Sequence, residues 1–89
     1  MKKGKLSNGF KFNIDESVFN DYQFLVILRK YEDNAGYIVD LVSHIFGDDE
    51  KQHDAFLESC KDESGRILSD TVITNVEELF DLIGDEAKN

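Results

Sequence analysis

Residues 7–15 read Ser7-Asn8-Gly9-Phe10-Lys11-Phe12-Asn13-Ile14-Asp15, and this stretch sets the architecture. Asn-Gly is the strongest short signal for a β-hairpin, because a two-residue type I′ turn needs positive φ at both positions. Beyond it Phe10, Phe12 and Ile14 alternate with Lys11, Asn13 and Asp15, which gives a strand with one apolar face. Such a turn pairs Ser7 with Phe10 and Lys5 with Phe12, so the first strand contributes little apolar area. An isolated hairpin is marginal in water, so its phenylalanine face must pack on something else.

The rest of the chain supplies helices for that purpose. Asp15 to Phe19 reads as a connecting turn, and Asn20 or Asp21 is an N-cap for a helix over about 21–32. Tyr22, Phe24, Leu25, Val26, Ile27, Leu28 and Tyr31 occupy most of its circumference. Periodicity alone also allows a short buried strand at Phe24–Leu28; the cap and the length favour helix. Asn34 caps a second helix, about 35–46, with Ile38, Leu41, Val42 and Ile45 as its stripe and Gly47 as its stop. Gly36, Asp40, Ser43 and His44 fall on its outer side. A third helix, about 50–60, starts at acids that suit the positive end of a helix dipole. It places His53, Phe56, Leu57 and Cys60 on one side.

Lys61 to Arg66 is a turn, and a fourth helix covers about 70–83. Ser69 or Thr74 opens it, Thr74 with Glu77 matching a capping box, and Val76, Leu79, Phe80 and Ile83 form its stripe. Gly84 ends it, and 85–89 reads as a frayed tail. The expected fold is α+β, mainly helical: one domain over 1–89, with an N-terminal hairpin at about 4–15 packed on about four short helices.

Composition narrows the function. The 89 residues suffice for one core, and 40 % apolar content with seven Phe and three Tyr argues against disorder. The single Cys60 cannot form an internal disulfide, and Met-Lys-Lys is followed by Gly4 and polar residues, with no apolar signal segment. The longest apolar run, Phe24 to Leu28, is five residues, too short for a bilayer. These features point to a soluble cytoplasmic protein without a membrane partner. Net charge is −9, unevenly divided: residues 1–14 hold four Lys and no acid, and the remainder holds 19 acids against six bases, a balance of −13. Such a surface repels phosphate backbones, which argues against nucleic acid and for solubility or a basic protein partner.

No catalytic constellation emerges. His44 reads as a solvated surface histidine. His53 and Cys60 share a helix face, but seven residues of helix separate them by about 10 Å, too far for a thiol–imidazole pair, so His53 reads as core-edge packing. Two His and one Cys without short spacing make no zinc site. Asp48-Asp49-Glu50 and Asp62-Glu63-Ser64-Gly65 are fragments of a calcium loop without the full pattern. No phosphate loop, nucleophile motif or cofactor signature is present. The remaining feature is the apolar excess of the first helix. Phe24, Ile27 and Tyr31, against Tyr22 and Val26, are core residues or the edge of a patch for a protein partner or a second copy of the chain.

The run Leu6-Ser7-Asn8-Gly9-Phe10 with Ile14-Asp15, then an acidic–apolar helix reaching Glu32-Asp33-Asn34, resembles small tail assembly chaperones of long-tailed phages and prophages of Gram-positive bacteria. Leu41 to Gly47, Asp62-Glu63-Ser64-Gly65-Arg66-Ile67 and the closing Leu79-Phe80-Asp81 extend the resemblance over nearly the whole chain. The chain departs from it in lacking Pro after Gly65-Arg66. The resemblance implies a non-enzymatic holdase that keeps a helical tape measure protein soluble during tail assembly and is absent from the finished virion. It also implies a longer form made by ribosomal frameshifting. It fixes no functional residue. The competing reading is a small acidic regulatory or decoy module that binds a transcription factor or an enzyme.

Overall fold

The computed structural model describes residues 1–84. Strands β1 (Lys2–Lys5) and β2 (Lys11–Ile14) form an antiparallel hairpin, followed by a 3-10 helix (Glu16–Asn20) and α1 (Tyr22–Asp33). A 3-10 turn (Ala35–Tyr37) leads into α2 (Ile38–Phe46), then come α3 (Glu50–Ser59), α4 (Ser69–Leu79) and a π-helical turn, Phe80–Gly84. The mainly helical α+β fold expected from the sequence is the fold observed. The tail expected at 85–89 lies outside the described residues.

The hairpin register differs from the expected one by one residue. Gly4 stands opposite Phe12 and Lys5 opposite Lys11. Gly9 donates its N–H to the Leu6 carbonyl, and Leu6 donates to the Phe10 carbonyl. Within the loop only Gly9 takes positive φ, at 95°. The connection is therefore a three-residue loop in which a tight turn ends on a left-handed glycine, not a type I′ turn. Asn8 stays at negative φ because its side chain is otherwise engaged. Its Oδ1 accepts from the Phe10 N–H, and its Nδ2 donates to the Ser59 hydroxyl at 3.1 Å. A one-residue slip exchanges the faces of a strand. Leu6 thereby enters the core beside Phe10, Phe12 and Ile14, while Lys3, Lys5 and Lys11 point to solvent.

Polar clamps attach the hairpin to the helices. The Ser7 N–H and hydroxyl both donate to the Glu78 carboxylate of α4, at 2.8 and 2.7 Å. The side-chain amide of Gln52 in α3 behaves like a neighbouring strand. Its Oε1 accepts from the Asn13 N–H and its Nε2 donates to the Asn13 carbonyl. This covers the outer edge of β2 at Asn13, whose backbone groups would otherwise be left to solvent.

Two aromatic clusters run through the core. Phe10 of the hairpin meets Phe56 edge-on at 5.4 Å, Phe46 lies 5.2 Å from Phe56, and His53 stacks on Phe46. On the other side of α2, Phe19 meets Phe24 and Phe80 edge-on, and Phe24 stacks on Phe80 at 6.1 Å. Phe19, expected in a plain turn, is thus a core residue on a 3-10 helix that Asp15 caps. Edge-to-face and offset contacts suit the ring quadrupoles, so these pairs stabilise beyond their buried area.

Caps at Asp21, Asn34 and Asp49 hold their helix starts, accepting from the N–H of Gln23, Gly36 and Gln52 respectively. The fourth helix takes the first of its two expected openings. It begins at Ser69 with Leu68 at the cap position and no side-chain cap bond. Thr74 lies inside it, its hydroxyl donating to the Asp70 carbonyl, so the Thr74–Glu77 capping box does not form.

Candidate functional site

Between α1, α2 and α4 lies an apolar groove of about 250 Å³. Phe24, Leu28 and Tyr31 of α1 form one wall, Ile38 and Leu41 of α2 the floor, and Ile73, Val76 and Phe80 the other wall. Glu77 and Asp81, both exposed, stand at its rim. The groove forms because α4 carries two apolar faces. Val72, Val76, Leu79 and Ile83 enter the core, while Ile73 and Phe80, one residue on from Val72 and Leu79, are left half-buried.

A second apolar groove, of about 350 Å³, opens between α2, α3 and the start of α4. Val39, Val42, Leu57, Ile67 and Val72 line it, and Ile38 borders both grooves. The first half of α4 is the wall between the two, with Val72 facing one and Ile73 the other.

The partner-binding residues expected on the first helix are divided by the fold. Phe24 is only 2 % exposed and packs in the core, where its ring also lines the first groove. Ile27 and Tyr31 are half-buried against the core, Tyr31 lining the first groove; Val26 is also half-buried. Tyr22 is 76 % exposed at the helix start. Of the five, Phe24 and Tyr31 line the first groove, and Tyr22, Val26 and Ile27 are not among the lining residues of either groove. Sequence reasoning missed the contribution of α4, although Ile73 and Phe80 at i and i+7, with Glu77 between them, were a readable second stripe.

His44 is not the solvated histidine expected. It is half-buried, its Nε2 lies 3.0 Å from Asp21 Oδ2, and its ring stacks on Phe24. Asp21 therefore joins α1 to α2 while its Oδ1 caps α1 by accepting from the Gln23 N–H at 2.8 Å. Asp21→Ala removes both contacts and is expected to cost about 1–2 kcal/mol. A thermal melt should show a fall of roughly 5–15 °C, most of it restored by Asp21→Asn, which keeps the cap.

Cys60 is buried, and burial pushes its thiol above the ordinary cysteine value. The side-chain amide of buried Asn75 donates to the Thr71 carbonyl at 2.9 Å and reaches Cys60 Sγ at 3.5 Å. An aromatic disulfide reagent should therefore label Cys60 slowly in the native protein and at once in denaturant, since the thiolate is the reactive form.

Asp62 organises the turn before α4. Its Oδ1 accepts from the Ser64 hydroxyl and from the N–H groups of Ser64 and Arg66. The Ser64 hydroxyl, with the Arg66 N–H, holds the carboxyl below its ordinary value of 3.8. A depressed folded-state value means the stabilisation is complete above the unfolded value and is lost as pH falls through the folded one. The Ser64 and Arg66 amide resonances should therefore move with a midpoint below pH 3.8, and Asp62→Asn should abolish that step. Among the described residues no group of three or more His, Cys, Asp and Glu side chains is placed to hold a metal ion, and no helix is long and apolar enough to cross a membrane.

Fold and site together define a small α+β domain with two apolar grooves on an acidic surface. Comparison with protein-family models, curated proteins and solved structures finds no match.

Proposed function

We propose that this chain is a non-enzymatic protein-binding module of the tail assembly chaperone kind, acting in a bacterial cytoplasm to hold a helical tape measure protein in solution. The observation that carries the reading is the first groove, with apolar walls from α1 and α4 and the carboxylates of Glu77 and Asp81 at its rim. An amphipathic helix presents apolar side chains at i, i+3, i+4 and i+7, which suits such a groove. Lysines flanking that stripe would face the rim and gain from the −13 balance of residues 15–89. Apolar anchors supply affinity, and the charged rim supplies orientation and association rate.

Co-expression with the tape measure protein of a neighbouring reading frame tests it. The expected result is a soluble complex that co-purifies, with the tape measure protein insoluble when expressed alone. A tape measure protein equally soluble without this chain, or recovery of this chain on a DNA-binding protein instead, contradicts it.

A further inference from the structure

The second groove differs from the first in its electrostatics. About one residue in three of this chain is charged, yet among the described residues no Asp, Glu, Lys or Arg lines it; its polar members are Ser43, His53 and Ser69. The first groove carries Glu77 and Asp81, the cleft at the hairpin tip carries Lys11 and Glu58, and the cleft beside β2 carries Asp15 and Asp49. Two of the lining side chains also protrude: Val39 is 68 % exposed and Ile67 40 %.

We infer that this face is a self-association surface, and that its occupant is the same face of a second copy of the chain. Two molecules of charge −9 repel, and a contact that brings carboxylates together adds local repulsion to that. A two-fold contact uses one patch on both partners, so the patch must be free of like charge and must hold both a projection and a recess. The lining of this groove meets both conditions, with Val39 and Ile67 as projections beside the recess over Val42, Leu57 and Val72. Depletion of charge at the centre is also the compositional mark of protein interfaces. The inference uses neither the first groove nor the chaperone reading.

Sedimentation equilibrium of the full chain over a concentration series tests it. The expected result is a reversible monomer–dimer equilibrium that added NaCl strengthens, because salt screens the repulsion between the two copies. Val39→Asp should raise the dissociation constant by about tenfold or more, since it sets two carboxylates face to face. Ile67→Asp is the second variant in case the first perturbs folding, with circular dichroism as the check. Leu25→Asp, exposed on α1 outside both grooves, should leave the equilibrium unchanged. A chain monomeric up to roughly 1 mM overturns the inference. So does a dimer that survives both groove variants, or one that salt weakens, as a contact between the lysine face of the hairpin and the acidic helices would be.

Discussion

Replacing Phe56 by alanine is expected to remove about 3–5 kcal/mol of stability, the range for deleting a fully buried aromatic side chain. Phe56 has no exposed surface, and it is where the hairpin, α2 and α3 meet: Phe10 packs edge-on against it and Phe46 lies across it. The loss has three parts. The ring's transfer energy disappears, a cavity remains because the surrounding strands and helices close only partly, and two aromatic contacts are lost. A domain of this size has only about 5–13 kcal/mol in total, so the variant should lose from roughly a quarter to all of its stability. Urea unfolding should show the midpoint falling sharply with the slope unchanged, and the melting temperature should drop by about 15–30 °C. A loss below about 1 kcal/mol would mean that the hairpin does not dock on α3 as described.

The second large effect concerns binding. Reversing both rim carboxylates, Glu77→Lys with Asp81→Lys, converts two attractions for a lysine-flanked helix into two repulsions. Individual exposed pairs contribute only about 0.2–1 kcal/mol. Reversal counts each twice, about 0.8–4 kcal/mol for the two, so affinity for such a helix should fall roughly 4- to 1,000-fold at low ionic strength. The difference should shrink at about 0.5 M salt, where screening leaves the apolar contacts as the main attraction. Both positions are exposed, so the melting temperature should stay within a few degrees of the parent. Isothermal titration with a synthetic amphipathic helix gives both numbers. Equal affinity at low salt would remove the acidic rim from the account.

The elements most legible in the sequence were those governed by short-range chemistry. Asp21 and Asn34 cap helices because an oxygen two bonds from Cβ reaches the N–H group two residues on, and that reach is a local property. The stripe Ile38-Leu41-Val42-Ile45 was likewise local, and all four residues are buried. What sequence did not reveal depends on partners distant along the chain. Asn8 has the composition of a type I′ turn, yet its amide is engaged by Ser59 on α3, fifty-one positions away, and the turn adopts a geometry that needs one left-handed residue instead of two. That single change moved Leu6 into the core and turned Lys3 and Lys5 to the solvent face. Thr74 with Glu77 has the form of a capping box, but Val72 is drawn into the core ahead of it, so the helix starts earlier and the motif lies within it. His44 looked solvated because Asp21, its partner, is twenty-three positions away on another helix.

The candidate site followed the same division. The apolar excess of the first helix was visible, but which of its residues remain accessible depends on where α2 and α4 pack. Phe24, at the centre of that excess, is covered by Phe19 and Phe80, two rings that no pattern within α1 could announce. Leu28 and Tyr31 remain as groove walls only because the π-helical turn carries Phe80 and Asp81 round to face them.

The central claim is that the groove between α1, α2 and α4 receives an apolar helix with basic flanks. The most direct measurement is a heteronuclear NMR titration of the full chain with a helical peptide carrying Leu at i, i+3, i+4 and i+7 and lysines on either side. Saturable shifts concentrated at Leu28, Tyr31, Ile73, Glu77 and Phe80, and lost when glutamates replace the peptide lysines, are the predicted result. Shifts that never saturate, or that fall on the lysine face of the hairpin while these five positions stay still, would contradict it.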